Sequence, residues 1–478
     1  MSGTSYDVRF WAIEVRVRGQ VRYRVVWLVA SRRHSKSFTR RALADSFRAE
    51  LVAAAGKGEA FDVTSGLPVS QLRALAGDNV VSALAHAREF TEWAWDSVAA
   101  KSRVSILETL VCVLPVVVRD LPGAPDPQVL RLALRVHLNP GGHAGELDRA
   151  QARAVAWLER ASLPVSSFAD EAMLCDVLDA LAAKLDGSRA APEYFSRRRR
   201  VLHRVLGYAV RCKRLAVNPL SKGNLPQSWT PPEAPDDAID PRCVGSPAAM
   251  AEFLVACSYV GRGQGPRFVA FFGCMYYAMM RPSEVAALTE DDCDLPETGW
   301  GELSVSGASS AAGRAFTDTG EVHEHRGLKG RDRGQPSTSP RSRRPVRQVP
   351  IPPELVAQLR GHIARYGTGA GGRVFRSVTG KPIQPSTWFR VWCKARDLAL
   401  TPAQRRTALL ERPYDARHSG VTWRLSAGVP PPEIAAWAGH SVEVLMRIYA
   451  GCMTGMRPVW IAMMDQTLHR EDGEDGTR

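Results

Sequence analysis

The chain has 478 residues, of which 45% are hydrophobic and 23% charged, a balance that excludes a largely disordered protein and predicts two or three globular domains. Its formal net charge is +14 and its isoelectric point about 9.6. Such a surplus of positive charge indicates a polyanionic partner. Nucleic acid is the first candidate and an anionic membrane the second.

The apolar segments and the cysteines narrow this further. The best apolar run, Val111 to Val118, is far shorter than the roughly 20 residues of a spanning helix, and no signal peptide is recognised. The nine cysteines contain no CxxC pair, which predicts reduced thiols and no metal site. We therefore expect a cytoplasmic, nucleoid-associated protein with no membrane partner, no metal and no cofactor.

The N-terminal part predicts a three-stranded sheet followed by a helix. Residues 7–38 alternate with a period near two, and residues 40–55 carry apolar side chains at helical spacing. One face of the sheet is basic, either because it is solvated or, as we favour, because it contacts DNA in the major groove. The arginines predicted on this face are Arg16, Arg18, Arg22 and Arg24.

Residues from about 80 to 225 predict helices separated by Pro/Gly clusters near 122–127 and 140–143. The last of them, about 193–215, combines one apolar stripe with many arginines. Such a charge run is often only a solvated face, but in a basic chain it also suits phosphate contacts. The arginines assigned to these contacts are Arg197, Arg200 and Arg204.

A Pro-rich linker and a further domain complete the chain. The overall fold class expected is mainly α with small β-sheets, an α+β protein. The predicted parts are a sheet-plus-helix domain (1–75), a helical domain (80–225), a linker (226–244), a mixed α/β domain (245–465) and a polar tail (466–478).

Two segments of the C-terminal domain place polar side chains among apolar ones. The first, 268–288, predicts two helices with Pro282 in the first turn of the second and Arg281 at its head. The second, 412–449, predicts an apolar helix that carries Arg417 and His418, followed by His440 and, nine residues later, Tyr449. Satisfied core polar groups would explain any one of these residues, but not all of them in this order.

This ordered set resembles the catalytic domain of tyrosine recombinases, the phage-integrase family, over about 250 to 455. The wider chain resembles integrases of phages and integrative elements, which carry an arm-binding sheet and a helical core-binding domain. The resemblance assigns residues one by one. The positions that match are Arg281 (first catalytic arginine), Glu284 (acidic residue one turn on), Arg417 (second arginine), His440 (later His/Trp position) and Tyr449 (nucleophile).

Two further positions are less regular. The family uses a lysine in a β-hairpin, for which the best candidate is Lys329, with the chain returning through 347–352 after a long basic loop. The second motif of many members begins with histidine, where this chain has Tyr414. A phenol, with a reference pKa of about 10, can position a phosphate but is a poor acid. His418 is a supporting hydrogen-bonding group.

The residue types suit phosphodiester cleavage. Two guanidiniums, from Arg281 and Arg417, can bind the non-bridging oxygens together with His440. Tyr449 would form the covalent bond, and Lys329 would protonate the leaving oxygen. The resemblance implies a 3′-phosphotyrosyl link and a free 5′-hydroxyl, so that rejoining needs no ATP.

The resemblance also implies partners. We expect double-stranded attachment sites, a homotetramer on DNA and an excision or directionality factor. Residues 456–468 predict a short amphipathic helix that docks on a neighbouring protomer or on its own domain. A site-specific integrase is the leading interpretation. The alternatives are a chromosomal or plasmid resolution recombinase and a DNA-binding protein that has lost catalysis.

Overall fold

The computed structural model describes residues 3–18, 20–71, 81–141, 143, 145–184, 187–221, 226, 229–230, 238–261, 263–327, 347–453, 461–462 and 464–465, with only the backbone given for 16–18 and 20. It divides into two compact units. The first contains Met1–Pro235 together with Arg314–Gly320, and the second contains Asp236–Gly313 together with Glu321–Arg478. The fold is mainly α-helical with small antiparallel sheets.

The first unit begins with the predicted sheet. Its central strand pairs on one edge with two short strands, one after the other, and on the other edge with a single strand. The first of the three predicted strands is therefore two strands in the structure. The elements are β1 (Thr4–Ser5), β2 (Val8–Phe10), β3 (Glu14–Arg18), β4 (Gln20–Val29), β5 (Arg32–Phe38), α1 (Arg41–Gly56) and β6 (Phe61–Asp62). Val25, Trp27 and Val29 alternate along β4 and pack with Leu51 of α1, because a strand presents every second side chain to one face.

Six described helices follow and share one apolar core. They are α2 (Ala83–Trp95), α3 (Ala100–Val113), α4 (Pro127–His137), α5 (Arg149–Ala161), α6 (Glu171–Ala182) and α7 (Pro192–Arg211). Side-chain caps fix several starts: Asp148 and Gln151 form a capping box at α5, while Asp126 and Asp170 cap α4 and α6. The predicted Pro/Gly breaks lie before and after α4, where the chain leaves helical geometry.

The segment Arg314–Gly320, distant in sequence, belongs to this first unit. The buried guanidinium of Arg103 on α3 donates to the carbonyl oxygens of Trp95 and Phe316 and to the carboxylate of Asp318. The rings of Trp95 and Phe316 stack with centroids 6.5 Å apart. Asn139 adds a 2.8 Å hydrogen bond to the carbonyl of Ala315. These contacts make the segment part of the helical core.

The second unit combines helices with two small sheets. Its helices are α8 (Pro247–Ser258), α9 (Val269–Tyr277), α10 (Pro282–Val285), α11 (Pro353–Tyr366), α12 (Pro385–Ala399), α13 (Pro402–Arg405), α14 (Tyr414–Ser426), α15 (Pro431–Ala438) and α16 (Val442–Tyr449). Its strands are β7 (Cys293–Asp294), β8 (Gly301–Val305), β9 (Gly307–Ala311), β10 (His323–Gly327) and β11 (Arg347–Ile351). Six of these nine helices have proline in the first turn, where its missing N–H costs nothing.

The strand pairing differs from the expected hairpin around Lys329. β10 pairs with β9, whereas the return strand β11 pairs with β8 in a separate sheet that also contains β7. Each strand thus finds its hydrogen-bond partner earlier in the chain, and β10 and β11 are not partners. Lys329 itself, with the rest of 328–346, lies outside the described residues.

Across the described ranges, we find no helix that is long and apolar enough to span a membrane.

Candidate active site

Arg417 lies at the centre of a polar cluster inside the second unit. It is fully buried on the first turn of α14. This helix packs closely on α9 at Gly420, which has no side chain; a Cβ there would overlap the carbonyl oxygen of Tyr276. Just beyond α9, Met279 adopts a left-handed backbone conformation with φ of 50° and turns its carbonyl oxygen to the Arg417 guanidinium, which donates to it. Close helix packing therefore fixes the position of the guanidinium.

Arg281 begins α10 and is held by Glu284 in its first turn. The Glu284 carboxylate accepts from the Arg281 backbone N–H at 2.8 Å and from its guanidinium at 2.9 Å. The same carboxylate accepts two bonds from Arg347 of β11, at 3.2 and 2.8 Å. Glu284 is thus a buried anion between two cations, while the side chain of Arg281 stays 34% exposed.

Gly439 and His440 enter the cluster at the end of α15. Gly439 has φ of 67°, a left-handed helix cap that glycine adopts without strain, and a Cβ there would lie 2.6 Å from a guanidinium nitrogen of Arg347. The turn presents the His440 Nε2 to Arg417, whose Nη2 donates to it at 2.8 Å and to the Ala438 carbonyl at 2.6 Å. Nε2 is therefore an acceptor, and the proton of the neutral ring resides on Nδ1.

Tyr449 is the last residue of α16 and is only 1% exposed. Its hydroxyl lies 2.9 Å from Nδ1 of His418, one residue beyond Arg417 on α14. The rings of His440 and Tyr449 have centroids 6.4 Å apart. Tyr414, one turn before His418 on α14, places its ring edge-on to the His418 ring at 5.0 Å. The Tyr449 side chain thus lies between the first turns of α14 and the turn that carries His440.

The charge balance of this cluster is positive. Burial would raise the pKa of Glu284, but hydrogen bonds and attraction from Arg347 and Arg281 lower it to about 2, so the carboxylate is ionised. Burial and the neighbouring guanidiniums lower the pKa of His440 to about 3 and of His418 to about 4, and both rings are neutral. Three arginines therefore face one hydrogen-bonded carboxylate, an arrangement that suits a bound anion such as phosphate.

Burial also shifts the pKa values of Arg417 and Tyr449. It lowers the pKa of Arg417, although Tyr414 opposes this shift, and leaves the Arg417 Nε without a hydrogen-bond partner. Burial raises the pKa of Tyr449 well above that of a free phenol, and the nearby Arg417 only partly offsets the increase. The resting hydroxyl is consequently protonated.

Of the predicted site residues, Arg281, Glu284, Tyr414, Arg417, His418, His440 and Tyr449 all lie in this cluster. Arg347 was missed as a site residue. Its signal was the position directly before the alternating Val349 and Ile351, where a basic residue begins a strand. The sequence could not show that it shares Glu284 with Arg281.

The arginines predicted to contact DNA lie in the first unit. Arg197, Arg200 and Arg204 of α7 are exposed, as is Arg22 of β4, whereas Arg24 donates to Ser35 at 2.7 Å. The side chains of Arg16 and Arg18 lie outside the described residues. Two other arginines of the α7 run are used internally: Arg198 donates to the carbonyls of Leu181 and Ala183, and Arg199 donates to that of Leu220.

Comparison with known proteins gives one sequence match of note. The chain is 28% identical over 177 residues to a putative prophage phiRv2 integrase of Mycobacterium tuberculosis, a match that covers 36% of this chain and 40% of the relative. The chain thus spans less than half of the length of the curated relative it matches. No family model matches the chain.

Two solved structures are similar in outline. A Tn1549 transposon integrase in complex with transposon right end DNA has a TM-score of 0.45 and 17% identity, over 71% of this chain and 98% of that one. The XerH site-specific recombinase bound to a palindromic difH substrate has a TM-score of 0.48 and 13% identity, over 80% of this chain and 96% of that one.

Proposed function

We propose that this chain is a tyrosine-type, site-specific DNA recombinase that integrates or excises a mobile element, in keeping with its sequence similarity to a prophage integrase. One observation carries the proposal: Arg281, Arg417, His440 and Tyr449 come from distant sequence positions and meet in one buried, positively charged cluster. Ionisable groups with shifted pKa values that gather at one point, as these do, are typical of functional sites.

The reaction follows from these groups. The Tyr449 oxygen attacks a DNA phosphorus and forms a phosphotyrosine, while the bond to the 5′-oxygen breaks and that oxygen takes up a proton. The guanidiniums of Arg281 and Arg417 and the His440 ring stabilise the negative charge on the non-bridging oxygens. Rejoining is the reverse: a 5′-hydroxyl attacks the phosphotyrosine and releases Tyr449. In this proposal Lys329 is the acid that protonates the leaving 5′-oxygen.

The burial of Tyr449 adds a condition. A side chain that is 1% exposed cannot meet a DNA phosphate in this arrangement. Cleavage therefore requires the side chains that cover the Tyr449 hydroxyl to open when DNA binds, while Tyr449 keeps its contact with His418 on α14.

The partners proposed are double-stranded attachment sites bound through the exposed arginines of the first unit, further copies of the chain in a tetramer, and a directionality factor. The segment 456–468, proposed to contact a neighbouring copy, lies mostly outside the described residues. A resolution recombinase would use the same cluster. The basic N-terminal sheet favours the integrase, because it offers a second DNA-binding surface.

A suicide duplex built from the DNA that flanks the gene tests the proposal. Wild-type protein should form a covalent adduct that survives denaturation, while Tyr449→Phe should bind the same duplex with unchanged affinity and form none. The matched control is Tyr366→Phe, a tyrosine on α11 outside the cluster. If wild type binds this DNA tightly but forms no adduct at any pH, the chain is a DNA-binding protein and the enzymatic proposal is wrong.

A further inference from the structure

His418 and Tyr449 form a direct contact that the site chemistry described so far does not use. The His418 Nδ1 and the Tyr449 hydroxyl oxygen are 2.9 Å apart, within hydrogen-bond distance, and their ring centroids are 5.7 Å apart. Within the described part of the chain, this is the one hydrogen bond of the Tyr449 hydroxyl. A neutral phenol can donate or accept this bond, and in the tautomer with the ring proton on Nε2 the Tyr449 hydroxyl donates to Nδ1.

The neighbouring groups are unsuited to the same task. His440 already uses Nε2 to accept from Arg417. Tyr414, at the motif position where a histidine is usual in the resembling family, contacts His418 ring to ring and is itself a phenol. The guanidiniums of Arg417 and Arg412 face His418 and are cations, and Cys452 near Tyr449 is a half-buried thiol. His418 is thus the neutral base in contact with the nucleophile.

We propose that His418 is the proton acceptor for Tyr449 in DNA cleavage and the proton donor to Tyr449 in rejoining. This proposal rests on the recombinase function proposed above. During cleavage the bond between the Tyr449 oxygen and phosphorus forms, the phenol proton moves to the His418 Nδ1, and the electron pair of the broken bond leaves on the 5′-oxygen. During rejoining Nδ1 returns the proton as the phenol departs.

The electrostatics of the cluster favour this transfer only when DNA is bound. In the resting protein, burial and the cations Arg417 and Arg412 lower the pKa of His418 to about 4, so the ring is neutral and able to accept. A phosphate that enters the cluster adds negative charge beside these arginines, and that charge stabilises the imidazolium formed during attack. The basicity of His418 is therefore greatest when the substrate is in place.

The test uses the full chain, a suicide duplex and single-turnover cleavage from about pH 5.5 to 9.5. His418→Asn places a side-chain oxygen near the position of Nδ1, so it keeps the hydrogen bond but cannot accept a proton. His418→Leu removes both. For wild type we expect a rate that is nearly flat above about pH 6. For His418→Asn we expect a rate about 10² to 10⁴ times lower at pH 7, rising about tenfold per pH unit as the phenol ionises.

A second measurement separates proton transfer from positioning. A fluorinated tyrosine at position 449, whose phenol is ionised near neutral pH, should restore most of the rate of His418→Asn and change wild type little. A duplex with sulfur at the 5′-bridging position, which needs no protonated leaving group, should not restore His418→Asn. The melting temperature and the duplex affinity of His418→Asn should equal those of wild type. The cleavage rate of His418→Leu should fall as far as that of His418→Asn, because neither side chain can accept the proton.

Three results would overturn the proposal. One is a His418→Asn rate and pH profile equal to those of wild type. Another is a slow variant that the fluorinated tyrosine fails to rescue, since His418 would then only position the phenol. The third is rescue by the bridging sulfur, which would assign His418 to the leaving group. In each case the wild-type adduct still forms and the recombinase function stands. If wild type forms no adduct, both proposals fall together.

Discussion

Among the residues that the structure describes, two arginines are less than 2% exposed, one in each unit, and their surroundings differ. Arg103 of the first unit is 1% exposed and directs its guanidinium to two carbonyl oxygens and the carboxylate of Asp318. Arg417 of the second unit is 0% exposed and donates to two carbonyl oxygens and a neutral histidine ring. The first cation is paired with an anion, and the second has no hydrogen-bonded carboxylate.

The difference teaches that the surroundings of a buried guanidinium matter more than its burial, because Arg198 and Arg424 are also buried and donate to carbonyl oxygens. Arg417 differs from them by its contact with His440, whose ring lies near that of Tyr449. Burying a charge is costly unless an opposite charge accompanies it. Arg103 meets that requirement within the protein, and it also lies 4.8 Å above the Trp95 ring. Arg417 does not, and burial lowers the pKa of its guanidinium. Under the proposed function, a DNA phosphate provides the counter-charge that Arg417 does not find among the described residues.

The largest effect is expected for Arg417→Lys. Lysine keeps the charge but lacks the planar, forked donors that reach His440 and two carbonyls, so stabilisation of the developing charge should be lost. We expect covalent adduct formation to fall by about 10³-fold or more. Single-turnover cleavage of the suicide duplex measures this. Arg103→Lys is the matched control, and a similar rate loss there would break the comparison.

The next effect is on stability. Arg103→Met should remove the guanidinium donors to the carbonyls of Trp95 and Phe316 and the pair with Asp318, and we expect the free energy of unfolding to fall by about 4 kcal/mol. Urea denaturation followed by tryptophan fluorescence measures the loss. Asp318→Asn should cost much less, since that side chain is largely exposed. Equal losses for the two variants would mean that the ion pair, and not the buried carbonyls, determines the stability.

Glu284 provides a pH-dependent version of the same contrast. It is the carboxylate of the cluster, and it is hydrogen-bonded to Arg281 and Arg347 but not to Arg417. Its folded pKa of about 2 lies below the usual 4.5, so its stabilising contribution is complete above pH 4.5 and is lost as the pH falls through about 2. Between these values wild type should lose on the order of 3 kcal/mol more than Glu284→Gln. Denaturant titrations of both proteins across this range test it, and parallel curves would contradict it.

The smallest effect concerns α7, where the contrast recurs within a single helix. Arg200 is exposed, whereas Arg198 is buried and donates to two carbonyls. Arg200→Ala should reduce the slope of log affinity against log salt by about one and leave the melting temperature unchanged. Arg198→Ala should lower the melting temperature instead. Fluorescence anisotropy with labelled duplex at several salt concentrations distinguishes the two, and an unchanged slope for Arg200→Ala would remove this helix from the DNA-binding surface.

The sequence predicted the helices and the order of the motifs well, since apolar periodicity and proline at helix starts are local signals. Pro282 does begin α10, and the helix after Arg417 does reach 426. Long-range partners have no local signal. Neither the shared carboxylate of Arg281 and Arg347 nor the contact between His418 and Tyr449 could be predicted, because each depends on how close two helices or a helix and a strand approach.

The same limit applies to α7. Arg198 and Arg200 are equivalent in sequence, and only the packing of α7 against the end of α6 shows that Arg198 is satisfied by the carbonyls of Leu181 and Ala183. The role of Lys329 stays a prediction for a related reason. Lys329 lies in the sequence between β10 and β11, and the apolar periodicity of these two strands does not extend to its position.

The membership of Arg314–Gly320 in the first unit has a practical consequence for anyone who divides this protein. A fragment that ends at Pro235 would lose Phe316 and Asp318 and leave Arg103 as an uncompensated charge, while a fragment that begins at Asp236 would carry Phe316 without Trp95. Expression of the two halves separately should therefore yield aggregation-prone material, and a cut between β9 and β10 would disturb both. Domain swaps between relatives need to transfer this short segment with the helices it belongs to.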